Sequence, residues 1–417
     1  MSIAKPASIS ATAALSAAAR SASGAATQAS LRERNLALVL TQVASSESPT
    51  SRADVAALTG LTRSTVSRLV DELVAAALVD EGDPVTGGQR GRPAVPLRPA
   101  SGTLVGLGLE VNVWHVAASV VDLRGQSVSN RIVEGDFVDS DPARVLAQLA
   151  QVGIACLEEA RAALPQLSLA GVQLALPGLV DGATLLRAPN LGWHDLEPLP
   201  PIRQALAAAG WDPGGYLWTA NEADCAALTV LQGSRHDDLL YVSGEVGIGS
   251  AAIVGGQVMT GRHGWAGELG HVCVNDGGPL CGCGSHGCLE VYAGRRAILE
   301  KAGVDSLDAL VAALRSGDAR ALGAVESAGH ALAIAVSAAL NLLDLPRVVL
   351  GGHLAVVFDW LRPTLTSELN SRVLSAPFSP PEVSAVSLDP APAAVGAALA
   401  VRQRVLAAPA SWMPARG

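Results

Sequence analysis

The sequence predicts an α/β protein in two parts, a small helical head over residues 31–100 and a two-lobed body over residues 101–408. Three observations carry the prediction. Strand patterns followed by helical patterns occur twice beyond residue 101, as expected for two α/β lobes with a cleft between them. Two short helical patterns flank Gly60 and lead into a two-strand pattern. Within the second α/β set, residues 264–290 gather four cysteines beside His271 among glycines, with neither a helical nor a strand stripe.

Composition sets the bounds. The 417 residues suffice for two or three domains, and 49% hydrophobic residues supply sizeable cores. No apolar run approaches a membrane span. Residues 1–30 are rich in Ala and Ser and lack the apolar core and cleavage pattern of a secretory signal. They read as a disordered tail, a mitochondrial-type presequence being the weaker alternative. Residues 409–417 read as a C-terminal tail. Six cysteines, four of them clustered, argue for metal in a reducing cytoplasm rather than a disulfide framework. The net charge of −9 is uneven: residues 1–100 carry ten Lys/Arg against eight Asp/Glu, and the remainder nineteen against thirty. That sign suits a nucleic-acid-binding N-terminus on an acidic body. Arg outnumbers Lys 27 to 2, a bias that codon usage explains as well as phosphate binding does.

The head reads in order as follows. Leu31 to Val43 forms a helix with Leu36, Val39, Leu40 and Val43 on one face. Ser51 is an N-cap with Asp54 at N3, opening a short helix to Thr59, and Gly60 supplies the turn. Thr62 caps a second helix to about Ala76, whose buried face is Val66, Leu69, Val70 and Leu73. Near its start the polar positions are Arg63, Ser64, Thr65, Ser67 and Arg68. This describes a helix-turn-helix whose second helix enters a DNA major groove, where Arg pairs with guanine edges and Ser or Thr bonds phosphates or bases. Leu78–Glu81 and Ala94–Leu97 read as hairpin strands. The Arg-Gly-Arg-Pro tip between them makes a wing that can lay Arg90 and Arg92 in the minor groove. A plain helical hairpin and a solvated linker are the bland readings. The two motifs together favour a winged helix-turn-helix, which reads one half-site and so implies a homodimer or higher oligomer.

In the body, Leu104–Glu110 and Val116–Gly125 read as strands, residues 142–164 as a helix, and Gly171–Pro177 as a buried strand entering a loop. The second set is the strand Leu239–Ser243, the loop Gly244–Gly249, the strand Ala251–Val254, the helix 320–343 and the strand Arg347–Leu350. Glycines at strand ends facing the cleft are where a ligand would sit.

His271, Cys281, Cys283 and Cys288 offer one imidazole and three thiolates, the ligand types of a closed tetrahedral zinc site. Cys273 is a rival fourth ligand. Cys156 and Cys225, each alone among Ala and Leu, read as buried thiols. A closed site is structural, and its job is to fix a loop. The second ring nitrogen of a ligating His stays available for a ligand hydroxyl. Glu268 and Glu290 bracket the ligands, and carboxylates beside such a knuckle suit polyol recognition.

With these motifs in view, the chain resembles the ROK family of sugar kinases and sugar-responsive repressors, over residues 31 to about 408. The resemblance is to the xylose- and N-acetylglucosamine-repressor branch. It is carried by Gly267-Glu-Leu-Gly-His271, the Cys281–Glu290 segment, Leu176-Pro-Gly-Leu-Val180, Ala188–Trp193 and Leu350-Gly-Gly352. The resemblance implies an actin/hexokinase-like pair of lobes and zinc on His271, Cys281, Cys283 and Cys288. It implies sugar contacts at Asn190, Asn221, Glu268, His271 and Glu290, with Glu222 at the kinase base position. From the residues alone, Asn190 and Asn221 read as turn caps.

The family's kinases carry an Asp-x-Gly-Gly-Thr-Lys loop, and this chain has Glu110-Val-Asn-Val-Trp-His115 in its place. Both glycines, the hydroxyl and the Lys are replaced, so backbone and side chain lose their approach to a phosphate. The second phosphate loop reads Glu245-Val-Gly247, where a carboxylate would repel phosphate. The expectation is a sugar-sensing, non-catalytic regulator that binds operator DNA, a repressor of carbohydrate uptake or catabolism genes released by a small sugar or sugar derivative. The alternative is an ATP-dependent sugar kinase with a DNA-binding head.

Overall fold

The computed structural model describes residues 28–46, 48–83, 95–233, 238–245, 247–386 and 390–413. The expected disordered tail, residues 1–30, lies outside the described residues except for its last three, 28–30, which open the first helix.

The head comprises α1 (Gln28–Ala44), α2 (Arg52–Thr59), α3 (Arg63–Ala75), β1 (Val79–Glu81) and β2 (Leu97–Pro99). Local chemistry sets its boundaries. Ser51 and Asp54 form a reciprocal capping box on α2, Gly60 ends that helix at φ +72, and the Thr62 hydroxyl accepts from Thr65 N–H to start α3. Val66, Leu69, Val70 and Leu73 are fully buried, as the spacing required. Of the second hairpin strand expected at Ala94–Leu97, Ala94 lies outside the described residues and Leu97 opens the observed strand, Leu97–Pro99. The inside–outside alternation begins only at Leu97, and Pro96, with no N–H to donate, instead accepts from Gly82 N–H through its carbonyl. Val79 pairs with Pro99 and Glu81 with Leu97, and Thr50 bridges to Leu97 from the other side. The wing tip with Arg90 and Arg92 lies outside the described residues.

Lobe 1 is a five-stranded sheet of β3 (Leu104–Val111), β4 (His115–Asp122), β5 (Ser127–Glu134), β6 (Ser168–Leu176) and β10 (Leu217–Asn221), ordered β10-β6-β3-β4-β5. The helix α4 (Pro142–Ala163) covers one face. A small sheet of β7 (Leu179–Asp181), β8 (Thr184–Ala188) and β9 (Trp193–Leu196) extends it, followed by α5 (Leu199–Ala208). The helix α6 (Glu222–Gly233) then leads to lobe 2. There β11 (Leu239–Gly244), β12 (Ile248–Val254), β13 (Gln257–Val258), β14 (Arg347–Gly351) and β15 (Glu382–Ala385) form a second five-stranded sheet, ordered β13-β12-β11-β14-β15. The helices α7 (Glu290–Ala293), α8 (Arg295–Ala302), α9 (Leu307–Arg315), α10 (Ala319–Leu343), α11 (Gly352–Val356) and α12 (Phe358–Arg372) belong to this lobe. By length and composition α10 could cross a membrane, contrary to the expectation of no such run, but its apolar face is the core of lobe 2.

The last helix, α13 (Pro392–Ala407), leaves lobe 2 and returns to lobe 1. It lies against β3 so closely that a Cβ on Gly108 would meet Ala394 O at 1.9 Å. Its far end, with Val401, Val405 and Leu406, enters the core of the head. Residues 409–413, expected as part of a tail, begin with a 3₁₀ turn whose Trp412 Nε1 donates to Ala170 O at 3.1 Å. The border expected at residue 100 is therefore crossed by a core shared between head and body.

Candidate functional site

One cleft between the lobes collects residues from distant parts of the chain. Asn190, Asn221, Glu222, Glu268, His271 and Glu290 all line it. So do Glu110, Asn112, His115 and Glu245. Asn221 sits where β10 becomes α6. Its Oδ1 accepts from Ala223 N–H at 2.7 Å and its Nδ2 donates to Gly178 O at 3.0 Å, so it caps the helix and lines the cleft at once. Glu290 Oε2 accepts from Ile248 N–H at 3.3 Å. A Cβ on Gly247 would lie 1.8 Å from that same oxygen, so a larger residue there would displace the Glu290 carboxylate from this hydrogen bond.

Carboxylates dominate the electrostatics. Burial, reinforced by Glu110, Glu245 and Glu268, pushes the Glu222 carboxyl well above its ordinary range. Burial pushes Glu245 up to about 7, with Glu110 adding to the effect and His115 and Arg295 opposing it. Asp224, behind the cleft wall and 8% exposed, is likewise pushed up to about 7 by burial and by Glu268. Burial works against charge on His115. The hydrogen bond to Glu110 and the charges of Glu110, Glu245 and Glu134 outweigh it and raise its pKa.

The knuckle forms one wall. His271, Cys281, Cys283 and Cys288 place their ligand atoms within 4.8 Å of one another. Cys283 Sγ and Cys288 Sγ are 3.7 Å apart, and zinc–sulfur bonds of ~2.3 Å give a tetrahedral edge of ~3.8 Å. His271 turns Nδ1 toward Cys281 Sγ at 3.8 Å and Nε2 toward Glu268 at 3.9 Å, so one ring nitrogen faces the sulfurs and the other the cleft. Cys273, the rival ligand, is exposed and stands outside the group; it forms a backbone bridge with Cys288. Gly287 is required by geometry: at φ +67, a Cβ there would meet Asn275 O at 1.7 Å. Cys156 and Cys225 are buried thiols, as expected.

On the head, Arg63, Ser64 and Arg68 are exposed at the start of α3, with Thr65 and Ser67 half-buried. Thr65 Oγ1 lies 2.8 Å from the capping Thr62 hydroxyl, and Arg68 pairs with Glu72 at 3.5 Å.

Two features escaped sequence reasoning. Glu110, 3% exposed, holds His115 Nε2 at 3.0 Å with one oxygen and accepts from Ala394 N–H at 2.8 Å with the other. Nothing in the pattern of β3 announces a partner 284 residues away. Trp265 Nε1 donates to Val180 O at 3.1 Å, tying the knuckle loop to lobe 1 across the cleft. Its setting among glycines was the one available signal.

Comparison with known proteins follows the same division. Residues 106–404 match the ROK family and residues 33–90 the MarR family. The xylose repressor of Bacillus subtilis (strain 168) is 26% identical over 84% of this chain and 89% of its own length. A crystal structure described as a ROK family transcriptional regulator, homologue of the E. coli MLC protein, superposes with a TM-score of 0.75. That match, at 23% identity, covers 90% of this chain and 97% of the other and speaks for the fold. A ROK family glucokinase from Streptomyces griseus, in complex with glucose and AMPPNP, superposes with a TM-score of 0.58 at 25% identity. It covers 72% of this chain and 99% of its own. The architecture is that of a winged helix followed by a hexokinase-like ROK body.

Proposed function

The chain belongs to the ROK family, and from that premise we propose that it is a sugar-responsive, DNA-binding transcriptional repressor and not a sugar kinase. One observation carries the choice. The residues that the resemblance assigns to sugar, Asn190, Asn221, Glu268, His271 and Glu290, share a cleft with Glu110 and Glu245, which the resemblance places at the kinases' phosphate loops. Phosphoryl transfer needs donors and cations around a developing phosphate charge, and two carboxylates there oppose it. Similarity to the xylose repressor supports the reading. The glucokinase structure keeps the kinase alternative in play, and a coupled ADP-release assay with a sugar panel decides it.

In this reading α3 enters the major groove with Arg63, Ser64, Thr65, Ser67 and Arg68, and the wing brings Arg90 and Arg92 to the minor groove. Two copies read two half-sites. Sugar binds between the lobes and biases their closure, which changes the spacing of the heads and lowers operator affinity. It can do so only through a difference in affinity between the two states. His271, Cys281, Cys283 and Cys288 would hold zinc, which sets the knuckle and with it Glu268 and Glu290.

The test is fluorescence anisotropy of labelled DNA from the gene's own upstream region, at fixed salt, with and without a panel of simple sugars. Tight binding weakened by one sugar establishes the repressor and names its effector. Absence of specific binding, there and in a genome-wide selection, sinks the DNA-binding assignment. Cys283→Ser should weaken the sugar response tenfold or more while leaving operator affinity in place. A normal response from that variant would remove the metal from the sensing mechanism.

A further inference from the structure

We infer that Cys273 and Cys288 are an oxidation site: a peroxide joins them in a disulfide, and that bond takes Cys288 out of the knuckle. The disulfide rests on backbone geometry and access alone. Its effect on the metal rests on the reading of the knuckle as a zinc site.

The backbone sets the pair. Cys273 and Cys288 face each other in an antiparallel bridge. Val274 N–H donates to Gly287 O at 2.8 Å and Leu289 N–H to Val272 O at 2.9 Å, so these hydrogen bonds flank the two cysteines instead of joining them. Antiparallel pairs of that kind hold their Cα atoms ~4.5 Å apart with both side chains on one face of the ribbon. A disulfide spans Cα separations of ~4.4–6.8 Å, so turning the side chains bridges the pair with the backbone in place. The two thiols differ in access. Cys273 is exposed, whereas Cys288 is 0% exposed and its sulfur lies 3.7 Å from Cys283 Sγ. Cys273 also stands outside the four-residue ligand group, so a metal there would leave its sulfur uncovered. Cys156 and Cys225 are buried in the core of lobe 1 and in the joint between the lobes. An oxidant arriving from solvent therefore meets Cys273 first, and Cys288 is the thiol directly opposite to resolve it.

The chemistry balances with hydrogen peroxide as the oxidant. The Cys273 sulfur attacks one peroxide oxygen; an S–O bond forms, the O–O bond breaks, and the departing hydroxide takes the thiol proton and leaves as water. The Cys288 sulfur then attacks the Cys273 sulfur. The S–S bond forms, the S–O bond breaks, and the second hydroxide leaves as water with the Cys288 proton. Together the two cysteines lose two electrons and the peroxide gains them. A sulfur tied up in a disulfide is no longer a thiolate donor, so a site of four ligands is left with three. His271 lies two residues before Cys273 and Glu290 two after Cys288, so the loop that carries both loses its anchor. Cys283 is the rival partner for Cys288. A metal would hold those two sulfurs ~3.8 Å apart, against the ~2.05 Å of a disulfide, and Cys283 is the less accessible thiol.

The experiment treats the full-length, zinc-loaded protein with graded hydrogen peroxide. Free thiols are then alkylated and the cross-links mapped by peptide mass spectrometry, while a chromogenic chelator follows zinc release. We expect Cys273–Cys288 as the first disulfide, zinc released in step with it, and reversal by dithiothreitol with added zinc. Cys273→Ser should hold zinc as the parent does before oxidation and release it at least tenfold more slowly at the same peroxide dose. A first disulfide between Cys283 and Cys288 or between Cys281 and Cys283 would overturn the inference. So would the absence of any cross-link, or equal release rates from parent and variant. If the protein binds no zinc, the metal reading of the knuckle fails by itself, and the peptide map still decides the pair. The core of the head contains no residue of the knuckle, so the oxidised protein should bind operator DNA within threefold of the reduced one. A larger loss would overturn the confinement of the oxidation effect to lobe 2.

Discussion

Lobe 1 meets its two neighbours through joints of different make. Toward the head it is bulky: Leu36, Leu40, Leu69, Leu73 and Leu97 pack with Leu123, Val401, Val405 and Leu406. Toward lobe 2 the members on lobe 1, α6 and α13 are small: Ala175, Cys225, Ala226, Ala227, Ala393 and Ala397 lie under Leu239, Tyr241, Ile253 and Val349 of the second sheet. Interlocked leucines resist sliding because each displacement opens voids and forces clashes. Faces of alanine and glycine present shallow relief, and packed elements of that kind shear with small cost. The difference predicts that the compliance of the molecule lies at the cleft and that the head moves with lobe 1 as one body. The helix α13 spans both joints, about 24 Å from cleft to head at 1.5 Å per residue.

The bulky joint should break most expensively. Leu73→Ala removes a fully buried side chain from the head's core, and Leu→Ala at such sites costs about 2–5 kcal/mol. We expect a separate early unfolding transition in denaturant, lost operator binding and retained sugar binding by calorimetry. If the whole chain melted in one earlier transition, head and body would be a single cooperative unit beyond what the joint alone implies.

The small joint is sensitive to addition instead of removal. A Cβ on Gly396 would lie 1.7 Å from Cys225 O, where α13 crosses α6. Gly396→Ala should cost about 1–3 kcal/mol through overpacking, after a partial offset from better helix propensity. It should also change the sugar response while the head still binds DNA. A response identical to that of the unmodified protein would mean that the lobes do not slide on this contact.

The head was largely legible in the sequence because its signals are local. Ser51, Gly60 and Thr62 cap and break helices within four residues of themselves, and the spacing of Val66, Leu69, Val70 and Leu73 announces one buried face. The clustering of His271, Cys281, Cys283 and Cys288 was legible because the four residues lie within eighteen positions. The residues expected to meet sugar were named by resemblance, and the structure shows only that all six line one cleft. The joints were not legible. That α13 leaves lobe 2, caps itself on Glu110 and ends inside the head depends on contacts across nearly the whole chain. A run such as Ala393–Ala400 has no periodicity that distinguishes one partner from another. The strand at Leu97 slipped for a related reason: Pro96 and Pro99 blur the alternation, and the buried side is chosen by α1 and Thr50, outside the hairpin.

The small joint also carries a proton. Asp224, in the first turn of α6, is pushed to about 7 by burial and by Glu268, against ~3.9 in an unfolded chain. Between these values the native state holds a proton that the unfolded state has released, so stability falls as pH rises and levels off above about 7. From pH 6 to pH 8 this one group should cost about 1 kcal/mol. Asp224→Asn should remove that share of the slope in urea titrations at the two pH values. A slope unchanged by the substitution would show that Asp224 is ionised throughout.

The smallest effect tests whether leucines or ions lock the head. Arg124, on the β4–β5 turn, donates from Nε to Pro99 O at 2.9 Å and pairs through Nη2 with Asp80 at 3.0 Å, which ties the base of the wing to lobe 1. Both side chains are over a third exposed, 34% and 46%, and pairs of that kind contribute about 0–1 kcal/mol. If the apolar core fixes the head, Arg124→Ala should shift stability by less than about 1 kcal/mol. Operator affinity should stay within threefold, and the sugar response should persist. Loss of that response with stability and DNA binding intact would reverse the comparison. The leucines would then be a pivot, Arg124 the latch that transmits closure, and the compliance of the molecule would lie at the head as well as at the cleft.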